Sequence, residues 1–353
     1  MPVFFCIYVF FYIILHWFNL NENNMTQVTR NELSLRRRFV KDFNLPINLI
    51  DSPYFEYYMD RYDFFPREDW ENLLKLIDIE YGGNIEKWLE NYAQIRDNII
   101  TSIESSDSYR EFNFVDMKEW KTPSFSVGDL NIYNNANTGK YFISIDLKKA
   151  NFQALKHFNP EIVKNCNTYE DLLTYFGGDD YFKKSKYTRQ VIFGKLNPKR
   201  TITYEKYLIG TIFTTPNNFI FKRICDKCKL VTVKSDEIVF EVDNHAVLRE
   251  IDTTLLNTLK VEIKANTGLD VSVELFYLKR IVCENHNGTI VDGYIRDFYL
   301  ENKTDLKSVS SIFHPQIYAF SKGLELTETD LFFRAEDQTA KFCNPLKLIE
   351  IQR

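Results

Sequence analysis

The hydrophobic period of this chain changes near residue 140, and that change restricts the fold to one that mixes helices with a sheet. Upstream, apolar residues such as Trp70, Leu73, Leu74, Leu76 and Ile77 recur at helical spacing. Residues 26–122 therefore read as mainly helical, with helices over Asp60–Tyr81 and Ile85–Ser105 separated by Gly82-Gly83. Thr29-Arg30-Asn31-Glu32 reads as the cap of a helix that carries Arg36-Arg37-Arg38. Downstream, Tyr141–Ile145 alternates and is β-branched, as a strand requires. Leu230–Val242 reads as a β-hairpin with Ser235-Asp236 near its tip. Val271–Val282 and Thr289–Tyr299 read as two strands joined across Asn287-Gly288, a strong turn signal.

Helices are expected between these strands. They fall at Ala150–His157, at Thr168–Phe176 up to Gly177-Gly178, and over Lys183–Ile212 in two pieces broken at Asn197-Pro198. A further helix runs from His245 to Asn266 and stops at Gly268. Residues 123–139, rich in Asn, read as a loop, and residues 301–353 as a mixed segment with a helix near Val309–Gly323. The expected class is α+β: a helical N-terminal region over residues 25–122, then an α+β core over 123–300 whose antiparallel sheet has helices on one face.

Composition narrows the function. The 353 residues include 30 Phe and 21 Tyr, enough for a large core. The abundance of Asn, Ile and Lys reads as low-GC codon bias, of the kind a large DNA virus, a phage or a parasite would show. The net charge of −5 gives no global attraction to nucleic acid, so any polyanion contact needs a local basic patch. The six cysteines show no disulfide framework, which points to an intracellular protein. Cys225-Asp226-Lys227-Cys228 has no second CxxC or paired His to complete a zinc site. Residues 2–18 are almost wholly apolar and have no basic residue before them. They read as an anchor, as a signal segment, or as translation upstream of a start at Met25; residues 1–24 are set apart as an apolar leader, with a mispredicted start or a dispensable leader standing level with an anchor. There is no Walker A sequence, no GxGxxG, no GxSxG and no pair of histidines at i, i+4.

Two acids stand at the edges of apolar strands. Asp146 ends Ile143-Ser144-Ile145-Asp146-Leu147-Lys148-Lys149-Ala150, and Asp236-Glu237 sits at the tip of Lys234-Ser235-Asp236-Glu237-Ile238-Val239-Phe240. Paired carboxylates suit hard divalent cations, and two such ions side by side are a common device of phosphoryl transfer. Lys183 to Lys206 carries Lys183, Lys184, Lys186, Arg189, Lys195, Lys199, Arg200 and Lys206 against one acid, Glu205. Arg189 and Phe193 are i and i+4 and share a helical face.

This order of strand-acid, helix, basic helices, acid hairpin, helix and two-stranded ribbon resembles the palm and fingers of template-dependent nucleic-acid polymerases. The first segment is similar to motif A of family B polymerases and of reverse transcriptases, and the hairpin to motif C. Arg189 with Phe193-Gly194 is loosely like motif B, and Phe276-Tyr277-Leu278-Lys279-Arg280 resembles the lysine-bearing strand after motif C. The likeness covers Tyr141 to Phe298. It implies nucleotide addition to a nucleic-acid primer-template from nucleoside triphosphates, with two Mg²⁺ held by Asp146, Asp236 and Glu237. It further implies that Lys183, Lys184, Arg189, Lys195, Lys199 and Arg200 meet triphosphate or backbone, and that Lys279 meets the primer. The chain departs from the pattern at Lys234, where family B has an aspartate, and at Glu237, where reverse transcriptases have one. Two other readings stay open: a catalytically silent polymerase-derived binding or scaffold protein, favoured by Lys234, and a membrane-tethered structural protein, favoured by residues 2–18.

Overall fold

The computed structural model describes residues 30–351, apart from 63–66, 126, 128–130, 285–289, 299, 302 and 337. The apolar stretch 2–18, Met25, Thr29 and the Asn287-Gly288 turn lie outside the described residues.

Five helices come first: α1 (Arg30–Asp42), α2 (Tyr54–Arg61), α3 (Arg67–Tyr81), α4 (Ile85–Glu104) and α5 (Asp107–Phe114). Asn84 caps α4 and Ser106 caps α5, each accepting a backbone N–H three residues on. Their apolar stripes meet around Phe39, Phe55, Trp88 and Phe112, all fully buried.

Strand β1 (Lys140–Leu147) then leads into α6 (Ala150–Phe158). Next come α7 (Tyr169–Tyr175), α8 (Asp180–Lys184), α9 (Lys186–Lys195), α10 (Pro198–Thr214) and α11 (Phe219–Lys227). The basic stretch makes three helices instead of the expected two, because the Ser185 hydroxyl accepts the Thr188 N–H and starts α9 afresh. The break at Asn197-Pro198 falls where expected. Asn197 caps α10 and proline occupies its first turn, where no N–H is needed.

The hairpin follows as β2 (Lys229–Val233) and β3 (Glu237–Val242), then α12 (His245–Glu250) and α13 (Thr253–Thr267). The single helix expected over His245–Asn266 is divided because Asp252 accepts the Leu255 N–H and caps a new one. Gly268 ends α13 at φ 73°, a left-handed turn that delivers the chain to β4 (Val271–Glu284). Strands β5 (Ile290–Phe298) and β6 (Lys303–Lys307), helix α14 (His314–Lys322), and strands β7 (Phe332–Ala335), β8 (Gln338–Lys341) and β9 (Leu348–Ile351) complete the chain.

The main sheet is antiparallel, in the order β2-β3-β1-β4-β5-β6, with β9 also on β4. The α+β class with a helical N-terminal region is as expected. The boundary drawn near residue 300 is not a boundary of the sheet, since β6 pairs with β5 and β9 with β4. These strands are four or five residues long and half exposed, so no alternation marked them.

Alternation divides the sheet into two faces. Ile143, Ile145, Phe240, Val273 and Leu275 face the helices and join one core cluster with Leu155, Leu208 and Leu259. Phe142, Val239 and Phe276 point the other way and form a smaller cluster under Ile132 of the preceding loop. The helical region is tied to later parts of the chain at two places. The Arg61 guanidinium lies 3.1 Å from buried Asp330. Buried Asp42 of α1 accepts from Arg38 Nε at 2.7 Å, Tyr181 OH at 2.7 Å and Ser185 Oγ at 2.8 Å, which fixes α8 and α9 against α1. Gly210 permits another close crossing, because a Cβ there would stand 2.8 Å from Pro123 Cδ.

Candidate functional site

Asp146 is the penultimate residue of β1, and its register partners are Glu237 on β3 and Ser272 on β4. Directly opposed antiparallel residues have Cα atoms about 5 Å apart and share a face. The Leu147 N–H donates to the Asp236 carbonyl at 2.8 Å, so the hairpin tip is clamped to the end of β1. The sequence places these acids some ninety positions apart, and the sheet makes them neighbours.

The turn after Asp146 is held from behind. Lys149 adopts φ 52°, reversing the chain between strand and helix. Gln153 of α6 closes that reversal: its side-chain oxygen accepts the Asp270 N–H at 2.7 Å, and its amide donates to the Lys148 and Asp270 carbonyls. A strand end fixed in this way positions a carboxylate more rigidly than a free loop would.

The electrostatics are those of crowded acids. Burial, with the charges of Asp236, Glu237 and Glu274, pushes the Asp146 carboxyl up to about 7, against the pull of Arg296. Glu205 on α10, which is 3% exposed, belongs to the same group. Burial together with Asp236 and Asp146 pushes it up to about 8, although the Asn151 amide donates to it at 2.7 Å. Sequence reading passed over Glu205 as the lone acid in a basic run. Its signal was positional: Thr201, Glu205, Leu208 and Ile212 form the buried stripe of α10.

Three cations answer part of this charge. Lys234 Nζ lies 3.7 Å from Glu237, and Lys303 Nζ lies 3.8 Å from Glu274. Arg296 of β5 lies 3.8 Å from Glu237, 4.0 Å from Glu274 and 3.3 Å from Asp305. Neither Glu274 nor Arg296 was singled out from the sequence, because only register brings β4 and β5 to this edge.

The expected basic contacts divide. Lys183, Lys184 and Arg189 line a cleft of about 790 Å³ together with Lys149, Glu170 and Asp69. Lys183 is paired with Asp180, and Lys184 with Asp69. Arg189 is within electrostatic reach of Asp146; burial lowers its pKa, and Tyr169, Glu170 and Asp146 oppose that. Lys195 and Lys199 are exposed, and Lys195 acts on Asp97 of α4. Arg200 is spent internally: it donates to the Phe112 and Val115 carbonyls and lies over the Phe112 and Trp120 rings. Lys279 alternates onto the helix-covered face and pairs with Asp297 at 3.0 Å, away from Asp146.

Among the described residues no three His, Cys, Asp or Glu side chains are already gathered as a metal cage. The donor type is that of a hard cation: these side chains are all carboxylates, the Asp236 backbone is clamped to the end of β1, and Asp146 is raised first by burial and then by like charge, the part a cation would relieve. Elsewhere, Cys225 and Cys228 are free thiols, raised by burial to about 12 and 11, a state unsuited to binding zinc. No helix among the described residues is long and apolar enough to cross a membrane. Neither a family model nor a curated protein matches this chain.

Proposed function

We propose that the chain is a polymerase-like nucleotidyltransferase that adds nucleotides to a nucleic-acid primer-template, with Mg²⁺ held by Asp146 and Asp236. The observation that carries this reading is the meeting of the β1 end and the hairpin tip, beside a cleft lined by Arg189, Lys183 and Lys184. When bound, Mg²⁺ would neutralise phosphate charge and lower the pKa of an attacking hydroxyl. The chain's own part is positioning. Asp146 and Asp236 fix where the cation stands, with Glu237 and Glu205 beside them. Arg189, fixed on α9 through Ser185 and Asp42, offers a guanidinium to a triphosphate entering the cleft.

The test is primer extension alongside Mn²⁺ titration. Wild type should bind Mn²⁺ and extend a primer, and Asp146→Asn should lose both. Extension by Asp146→Asn at the wild-type rate would overturn the assignment.

A second reading has its own observation. Lys234 and Arg296 already bring positive charge to Glu237, as suits a silent descendant that kept the sheet for binding nucleic acid. Primer binding without Mn²⁺ uptake or extension would favour it.

A further inference from the structure

In a chain of net charge −5, contact with a polyanion needs a local surplus of cations. The first cleft offers little, because Lys149, Lys183 and Lys184 are already paired with Glu170, Asp180 and Asp69. A second cleft, of about 600 Å³, adjoins it through Lys149 and Glu170, which line both. Lys148, Lys149, Lys156 and Lys264 line this second cleft against two carboxylates, Glu170 and Asp270. That leaves two positive charges in excess, with His157 counted as neutral because burial lowers its pKa. Lys148 is exposed and has no carboxylate partner among the described residues, and Lys156 donates to the Asn167 carbonyl at 2.8 Å. The walls are braced. Gln153 joins the turn before α6 to the entry of β4, and Lys264 Nζ donates to the Gly268 carbonyl at 3.0 Å and to Asp270 at 2.6 Å. Phe152 and Leu269 in the lining belong to the core shared with Ile143 and Leu275, so the cleft opens on the helix-covered side of the sheet.

We propose that this second cleft binds the backbone of a single nucleic-acid strand, with phosphates on Lys148, Lys156 and Lys264, and passes it beside Lys149 to the first cleft. The proposal rests on the reading that the chain acts on nucleic acid, and it adds the path of an unpaired strand. Lys148 precedes α6 and Lys156 lies in its last turn, roughly 10 Å apart along the axis. That spread suits phosphates in series better than one terminal phosphate. The volume is that of a small-ligand pocket, which admits one strand and excludes the body of a duplex. Ammonium groups are point charges, so they hold phosphates and leave base identity unread.

The experiment is fluorescence anisotropy of a labelled oligo(dT) with the full chain, in EDTA and over a series of salt concentrations. EDTA makes the result independent of any metal at Asp146. The double variant Lys148→Gln/Lys156→Gln should bind at least about fivefold more weakly at about 0.1 M salt. Its slope of log affinity against log salt should fall by about 1.4, since each phosphate contact on a single strand contributes about 0.7. Lys264 stays in place because it braces the turn. The control Lys118→Gln/Lys347→Gln removes the same charge from exposed positions elsewhere and should stay within about twofold of wild type. Equal losses in both pairs would mean overall charge alone and overturn the proposal. Unchanged affinity and slope in Lys148→Gln/Lys156→Gln, with wild type binding, overturns it and leaves the nucleic-acid reading standing. A wild type that does not bind the oligonucleotide overturns both. A Lys148→Gln/Lys156→Gln protein that keeps the oligonucleotide and loses a fluorescent nucleoside triphosphate makes the cleft a small-ligand pocket and also overturns the strand path. Thermal unfolding checks each variant, and Lys148→Glu alone carries the same comparison if the double variant does not fold.

Discussion

On one face of the central sheet Ile143, Ile145, Phe240 and Leu275 are sealed against helices; on the other, the same strands pass from Phe142 and Phe276 to Ser144, Asp146, Glu237 and Glu274. The two faces share every backbone hydrogen bond and differ only in side chains. Both faces bury apolar side chains, and the helix-covered face belongs to the larger core. The open face can then hold carboxylates close together, at a local cost the rest of the sheet tolerates. One face fixes the geometry that the other uses.

The strongest way to break this contrast is to damage both faces equally. Phe240→Ala on the sealed face should lower stability by about 3–5 kcal/mol, read from the urea midpoint, whereas Ser144→Ala on the open face should cost under about 1 kcal/mol. Similar losses would mean that the faces do not divide the labour. Next comes pH. Asp146 and Glu205 are raised to about 7 and about 8, so the folded state keeps protons that the unfolded chain releases near pH 4. Stability of the divalent-free protein should therefore fall as pH rises from about 4 to 8, by up to about 1.4 kcal/mol per pH unit for each proton, and level off above. Asp146→Asn should flatten much of that slope in thermal melts at stepped pH; an unchanged slope would place the strain elsewhere. Arg189→Ala should weaken nucleoside triphosphate binding about tenfold, the worth of one charged hydrogen bond, in a titration with a fluorescent analogue. The smallest effect is expected at Lys279, which lies on the sealed face. Lys279→Ala should change Mn²⁺ affinity and primer extension by less than about twofold, and a larger loss would put that lysine back at the site.

Much of this architecture could be read from side-chain periodicity. The strand ending in Asp146, the hairpin, the Asn197-Pro198 break and the Gly268 stop are local signals, and each falls where its residues place it. Proximity of Asp146 to Asp236 was inferred from order along the chain and then depended on register, which no local signal carries. Glu274 and Arg296 stayed hidden for that reason. The basic stretch shows another limit. Lys184, Arg200 and Lys279 look alike as letters, yet Asp69, two backbone carbonyls and Asp297 engage them. Positive charge in sequence gives no notice of an internal partner. Asp42 is the converse: an ordinary acid at the end of α1 proves to be the buried tie for two helices.

The length of β4 has a consequence for synthesis. Its first half is zipped to β1, while residues Arg280–Cys283 wait for β9, which leaves the ribosome some sixty-five residues later. Until then a row of unpaired amides is open to any passing strand, including that of another nascent chain. A product cut short before Leu348 would carry this seam permanently, and its expected fate is aggregation or proteolysis.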